Sequence, residues 1–131
     1  MTDTHFVLDD TTLLALGNGN SRASALIVRG HRKVNIHLMV PTLCLLEADR
    51  QREGVCVHIG ALEMLDTVDL DFPATLAVSA LVRKGVRLGI AHARVAAAPA
   101  PDLPEGAKVA TIAPELYADT ETAVLDLNAQ P

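Results

Sequence analysis

The chain has 131 residues, half of them apolar, and carries a formal net charge of −5. This length suits one domain over residues 1–131, and the apolar share suffices for a core without disulfides or structural metals. Phe6, Phe72 and Tyr117 are the only aromatic residues; with the acidic balance, this argues against a base-stacking platform and a broad phosphate-binding face.

In chain order, Phe6-Val7-Leu8 is a wholly apolar run closed by Asp9-Asp10, the pattern of a buried strand in a parallel sheet. Thr11 to Leu16 predicts a short helix, stopped by Gly17-Asn18-Gly19-Asn20. Asn20 or Ser21 can cap the next helix, in which Ala23, Leu26 and Ile27 share a face. Val34 to Val40 alternates like a strand. Pro41 ends it and opens a helix reaching about Arg52. A further helix is expected over Val55 to Leu65, then a strand at Thr67-Val68-Asp69-Leu70. Pro73 to Lys84 reads as a helix with Leu76, Ala80 and Leu81 inward. Leu88, Ala91, Val95 and Ala98 mark another helical face. The proline-rich stretch from Pro99 to Gly106 is a loop. Lys108 to Thr111 and Ala123 to Leu127 close the chain as short strands.

Apolar strands separated by helices, without hairpin signals, predict βαβ units. The expected fold is α/β, a three-layer α/β/α arrangement around a central parallel sheet. No stretch approaches the roughly 20 apolar residues of a membrane span, and no signal peptide opens the chain. Cys44 and Cys56 lie at no metal-ligand spacing and in apolar surroundings, as reduced cysteines of a cytoplasmic protein would. The densest basic run, Arg29, His31, Arg32 and Lys33, fits a solvated helix end.

In an open parallel sheet, ligands bind beyond the carboxyl ends of the strands. Asp9 and Asp10 follow the first strand there. Successive side chains diverge, so one can enter a cleft while the other caps a helix; alternatively, both are caps. Glu47 has two readings as well. It can pair with Arg50 three residues on, or be semi-buried between Leu46 and Ala48 with a functional task.

Phe6-Val7-Leu8-Asp9-Asp10-Thr11-Thr12-Leu13-Leu14 resembles the opening of PIN domains. Val40-Pro41 followed by a helix carrying Glu47 resembles that family's second motif. Ala91-His92-Ala93-Arg94-Val95 resembles its third helix, and Val109-Ala110-Thr111-Ile112-Ala113-Pro114 the end of its fourth strand. Val124-Leu125-Asp126-Leu127 fits the closing strand. These segments run through most of the chain in family order, in the style of VapC-like toxin ribonucleases.

The resemblance implies hydrolysis of RNA by one or two Mg²⁺ or Mn²⁺ ions held by three or four carboxylates. Asp9 matches the first acid, Thr11 its supporting hydroxyl and Glu47 the second acid. The third acid position falls on His92 and the fourth on Ala113, with Thr111 as the hydroxyl before it. Two acids of four leave Asp9 and Glu47 as the ligands of a weak metal site that substrate phosphates would complete. His92 reads either as a ligand better suited to Mn²⁺ or as a packed core residue. The resemblance further implies a homodimer and an antitoxin-type protein partner, with RNA as the substrate. Catalysis is weakened or lost by the two replacements, and the alternative is a non-catalytic module that binds a protein. Dinucleotide, Walker and nucleophile-elbow motifs are absent from the sequence. A receiver-like signalling domain with Asp71 ending a central strand is the weaker alternative.

Overall fold

A computed structural model describes residues 3–128. Strands β1 (Thr4–Leu8), β2 (Ile36–Pro41), β3 (Leu65–Val68), β4 (Lys108–Thr111) and β5 (Val124–Asp126) form one sheet in the order β3-β2-β1-β4-β5. Every pairing is parallel: Phe6 faces Leu38 on one side and Lys108 on the other, and Leu38 also faces Leu65. Helices α1 (Asp10–Gly17) and α2 (Ser21–Arg32) join β1 to β2, and α3 (Thr42–Gln51) and α4 (Val55–Gly60) join β2 to β3. Helices α5 (Phe72–Arg83) and α6 (Leu88–Ala97) then carry the chain back across β2 and β1 to β4. Crossovers running in opposite directions from β1 cover both faces of the sheet, giving the three-layer α/β/α architecture, and α3 also packs against α6.

The core explains the strand sequences. Val7, Leu8, Leu38, Val40, Val109 and Ala110 are fully buried, as strands covered on both faces require. Asn20 caps α2 by accepting from the Ala23 amide at 2.9 Å. Among the described residues, no helix is long and apolar enough to cross a membrane.

Several expectations shift. Helix α4 stops at Gly60, and β3 begins at Leu65, two residues before the expected Thr67, because its register is set by pairing with Leu38 to Pro41 of β2. Asp69 and Leu70 therefore lie beyond the strand, and β3 is an edge strand, which removes the receiver-like placement of Asp71. Asp71 caps α5 instead. On α5 the buried residue is Val78, whereas Leu76 is 58 % exposed and Ala80 is exposed. Helix α6 buries Ile90, Ala91, His92, Ala93 and Ala97 while Leu88 and Ala98 face outward, because it is packed against the sheet, α3 and α5 together. Cys44 is buried as expected; Cys56 is exposed on α4.

Candidate functional site

Strand β1 lies between β2, reached by the first crossover, and β4, reached by the return. The crevice at such a reversal point opens beyond the carboxyl ends of the strands. Asp9 occupies that position, fully buried, with extended backbone that makes it the N-cap of α1. Its Oδ1 accepts from the Thr12 amide at 3.0 Å and from the Thr11 hydroxyl at 2.6 Å. Its Oδ2 accepts from the Tyr117 hydroxyl at 2.8 Å.

The Thr11 and Thr111 hydroxyls are 3.1 Å apart. A hydroxyl has one proton, and Thr11 spends its own on Asp9, so Thr111 is the donor to Thr11. Thr111 accepts in turn from the Ala113 amide at 2.9 Å. The result is a chain of donors from Ala113 through Thr111 and Thr11 to the Asp9 carboxylate, each bond polarising the next. Thr12 ties the same junction down, donating to the Ala110 carbonyl at 2.7 Å. Burial, and then the Asp9 charge, push the pKa of the Tyr117 phenol up, so the hydroxyl keeps its proton and donates it to Asp9.

Asp10, the first residue of α1, turns the other way. It is fully buried and accepts from Arg87 Nη2 at 2.9 and 3.1 Å. Burial raises its carboxyl above the usual range, and Arg87 opposes this. Close packing supports the pair: a Cβ on Gly89 would lie 3.3 Å from the Asp10 carboxyl carbon. The charges of Glu47 and Arg87 reach one another across the same mouth. Glu47 itself is held by Arg50, with bonds of 2.7 and 2.9 Å to its two oxygens, and that contact lowers its pKa. It is only partly exposed, so both readings of this residue contain part of the answer.

His92 sits in α6 with no exposed surface. Its Nδ1 accepts from the Leu43 amide in the first turn of α3 at 3.2 Å, leaving Nε2 as the protonated nitrogen. Nε2 is buried without a hydrogen-bond partner among the described residues. Burial lowers the pKa of the ring, and the Asp69 backbone and Asp71 charge only partly counter this.

The structure thus brings Asp9, Thr11 and Thr111 into one hydrogen-bonded unit; Glu47 lies within electrostatic reach of Asp10 and Arg87, whereas His92 is bonded to Leu43 and faces the charge of Asp71. Tyr117 and Arg87 were not singled out from sequence. The one available signal is that a lone buried tyrosine needs a partner for its hydroxyl.

A divalent cation fits this cluster poorly. Both Asp9 oxygens already answer protein donors, as do those of Asp10 and Glu47. His92 Nδ1 is occupied, and Ala113 has no ligand atom. Among the described residues, no three His, Cys, Asp or Glu side chains converge on a common point.

The parallel order, the reversal at β1 and the strand-end acid define a PIN-like α/β fold. The chain is similar to one in the crystal structure of VapBC2 from Rickettsia felis bound to a DNA fragment from their promoter. The TM-score is 0.61 at 14% identity, covering 94% of this chain and 98% of that one. No family model and no curated protein matches the sequence.

Proposed function

We propose that this chain is a VapC-like PIN-fold protein in which metal-dependent RNA hydrolysis has been lost and which acts by binding a protein partner. The observation that carries this reading is the state of Asp9, whose two oxygens accept three hydrogen bonds inside a closed cluster. Three of the roughly four lone-pair sites of the carboxylate are thereby taken, which leaves an ion at most one of them, on Oδ2. His92 and Ala113, at the positions where the resemblance implies the third and fourth acids, point the same way.

The similar solved structure is a VapBC2 assembly on promoter DNA, which supports an antitoxin-type partner for this chain. Self-association into a homodimer belongs to the same reading. It is supported by apolar side chains left uncovered on α5 and α3, with Phe72 73 %, Leu76 58 % and Leu46 62 % exposed.

Co-expression with the product of the adjacent reading frame tests the proposal. Co-elution of the two proteins, undiminished in Asp9→Asn, is expected, together with no RNA cleavage in Mg²⁺ or Mn²⁺. Cleavage that depends on Mn²⁺ and vanishes in Asp9→Asn would restore the nuclease reading, with Asp9 and Glu47 as ligands and Thr11, Thr111 and His92 in support.

A further inference from the structure

Away from the strand-end cluster, a groove of about 660 Å³ runs between α5, α6 and the segment 119–123. It includes Ala107 and Ala123, which immediately precede β4 and β5, so it opens at the end of the sheet opposite Asp9. Its volume lies within the range of small-ligand clefts. Its floor is aliphatic, with Ala77 and Leu81 from α5, Val95 from α6 and Ala98 just after that helix.

Arg94 projects from α6 into this lining and is half-buried. Although Glu105, Asp119 and Glu121 line the same groove, Arg94 makes no ion pair or hydrogen bond with any described residue. One cation and three exposed acids thus share an aliphatic lining without forming an ion pair. The planar fork of an unpaired guanidinium matches the two oxygens of a carboxylate. The acids at the rim suit an ammonium and oppose a simple anion. Asp119 also adopts φ 62°, the only positive φ of a non-glycine residue among those described.

We infer that this groove binds a short aliphatic peptide as a zwitterion. Its C-terminal carboxylate lies on Arg94, its ammonium faces Glu105, Asp119 and Glu121, and its side chains lie on the Ala77–Leu81 and Val95–Ala98 surfaces. The inference is independent of the proposed partner-binding role.

The test is a titration of isotope-labelled protein followed by amide chemical shifts, with Ala-Leu-Leu, its C-terminal amide, its N-acetyl form and hexanoate. Saturable shifts confined to residues 77–81, 94–98 and 119–123 are expected for Ala-Leu-Leu. Amidation and Arg94→Gln should each weaken binding at least about tenfold, the loss of a charge-assisted pair. Arg94→Lys should recover part of it, and circular dichroism checks that both variants fold. N-acetylation should also weaken binding. Absence of saturable shifts up to about 10 mM, the weak end of specific recognition, overturns the inference. So does an amide or hexanoate that binds as well as the free peptide, or shifts that map elsewhere.

Discussion

Tyr117→Phe removes one oxygen and leaves the ring in place. In the folded protein that oxygen donates at 2.8 Å to Oδ2 of a fully buried carboxylate. A hydrogen bond to an ionised acceptor contributes about 1.5–3 kcal/mol, and water cannot replace it at a closed position. We expect a loss of about 2 kcal/mol, or roughly 8 °C in Tm for a chain of this length. Asp9→Ala should cost more, about 3 kcal/mol, because it removes the helix cap together with both hydroxyl acceptors. Asp9→Asn should be milder, since its amide oxygen still caps α1 and its NH₂ can donate to the Tyr117 hydroxyl.

Urea unfolding followed by circular dichroism, with and without Mn²⁺, measures all three variants. The opposite pattern belongs to a metal centre. There, a cation at a hundred times its Kd would stabilise the wild type by about 2.7 kcal/mol, and Asp9→Asn would abolish that gain. Observing this, or finding Tyr117→Phe within about 0.5 kcal/mol of wild type, the ordinary surface-substitution range, would refute the reasoning.

Arg87→Gln leaves the Asp10 carboxylate buried and unpaired; because Arg87 is about half exposed, the cost should be about 2 kcal/mol at neutral pH. Asp10 already has a raised pKa, so the protonated form favours folding, and the deficit should shrink between pH 7.5 and pH 5 in urea midpoints. His92 has a lowered pKa, so its neutral form favours folding. Wild-type stability should therefore fall as pH drops from about 6.5 towards the folded value, by up to about 1.4 kcal/mol per unit, and His92→Gln should lack that slope in denaturant titrations. Gly30→Ala improves helix propensity by about 1 kcal/mol. Yet its Cβ would lie 2.5 Å from Leu38 Cδ1 in the closed core, so net destabilisation of about 1–2 kcal/mol is expected, partly relieved by adding Leu38→Val and read from thermal melts.

Much of the fold is legible in the residues themselves. Phe6-Val7-Leu8, Val109-Ala110 and the alternation ending at Pro41 announce strands because a doubly covered sheet demands apolar side chains on both faces. Asp9 is readable as a strand-end acid for the same reason: the apolar run stops, and the first polar side chain stands at the sheet's edge. Faces of the Ala-rich helices are not readable. Helix α5 is apolar nearly all round, so period alone does not choose between Leu76 and Val78, and packing on α6 decides it. The β3 boundary is similar, since Leu65 and Thr67 are equally good strand residues until β2 imposes a register.

By itself, then, the sequence determined the parallel α/β order and the strand-end position of Asp9, which follow from local pattern and residue identity. Asp9 bonds locally to Thr11 and Thr12, but only the tertiary structure decided its distant connections. Tyr117 reaches Asp9 across 108 residues, Thr111 reaches Thr11 across 100, and Arg87 reaches Asp10 across 77. Contacts over such separations depend on how strands stack and where helices begin, and no spacing in a linear chain encodes that geometry.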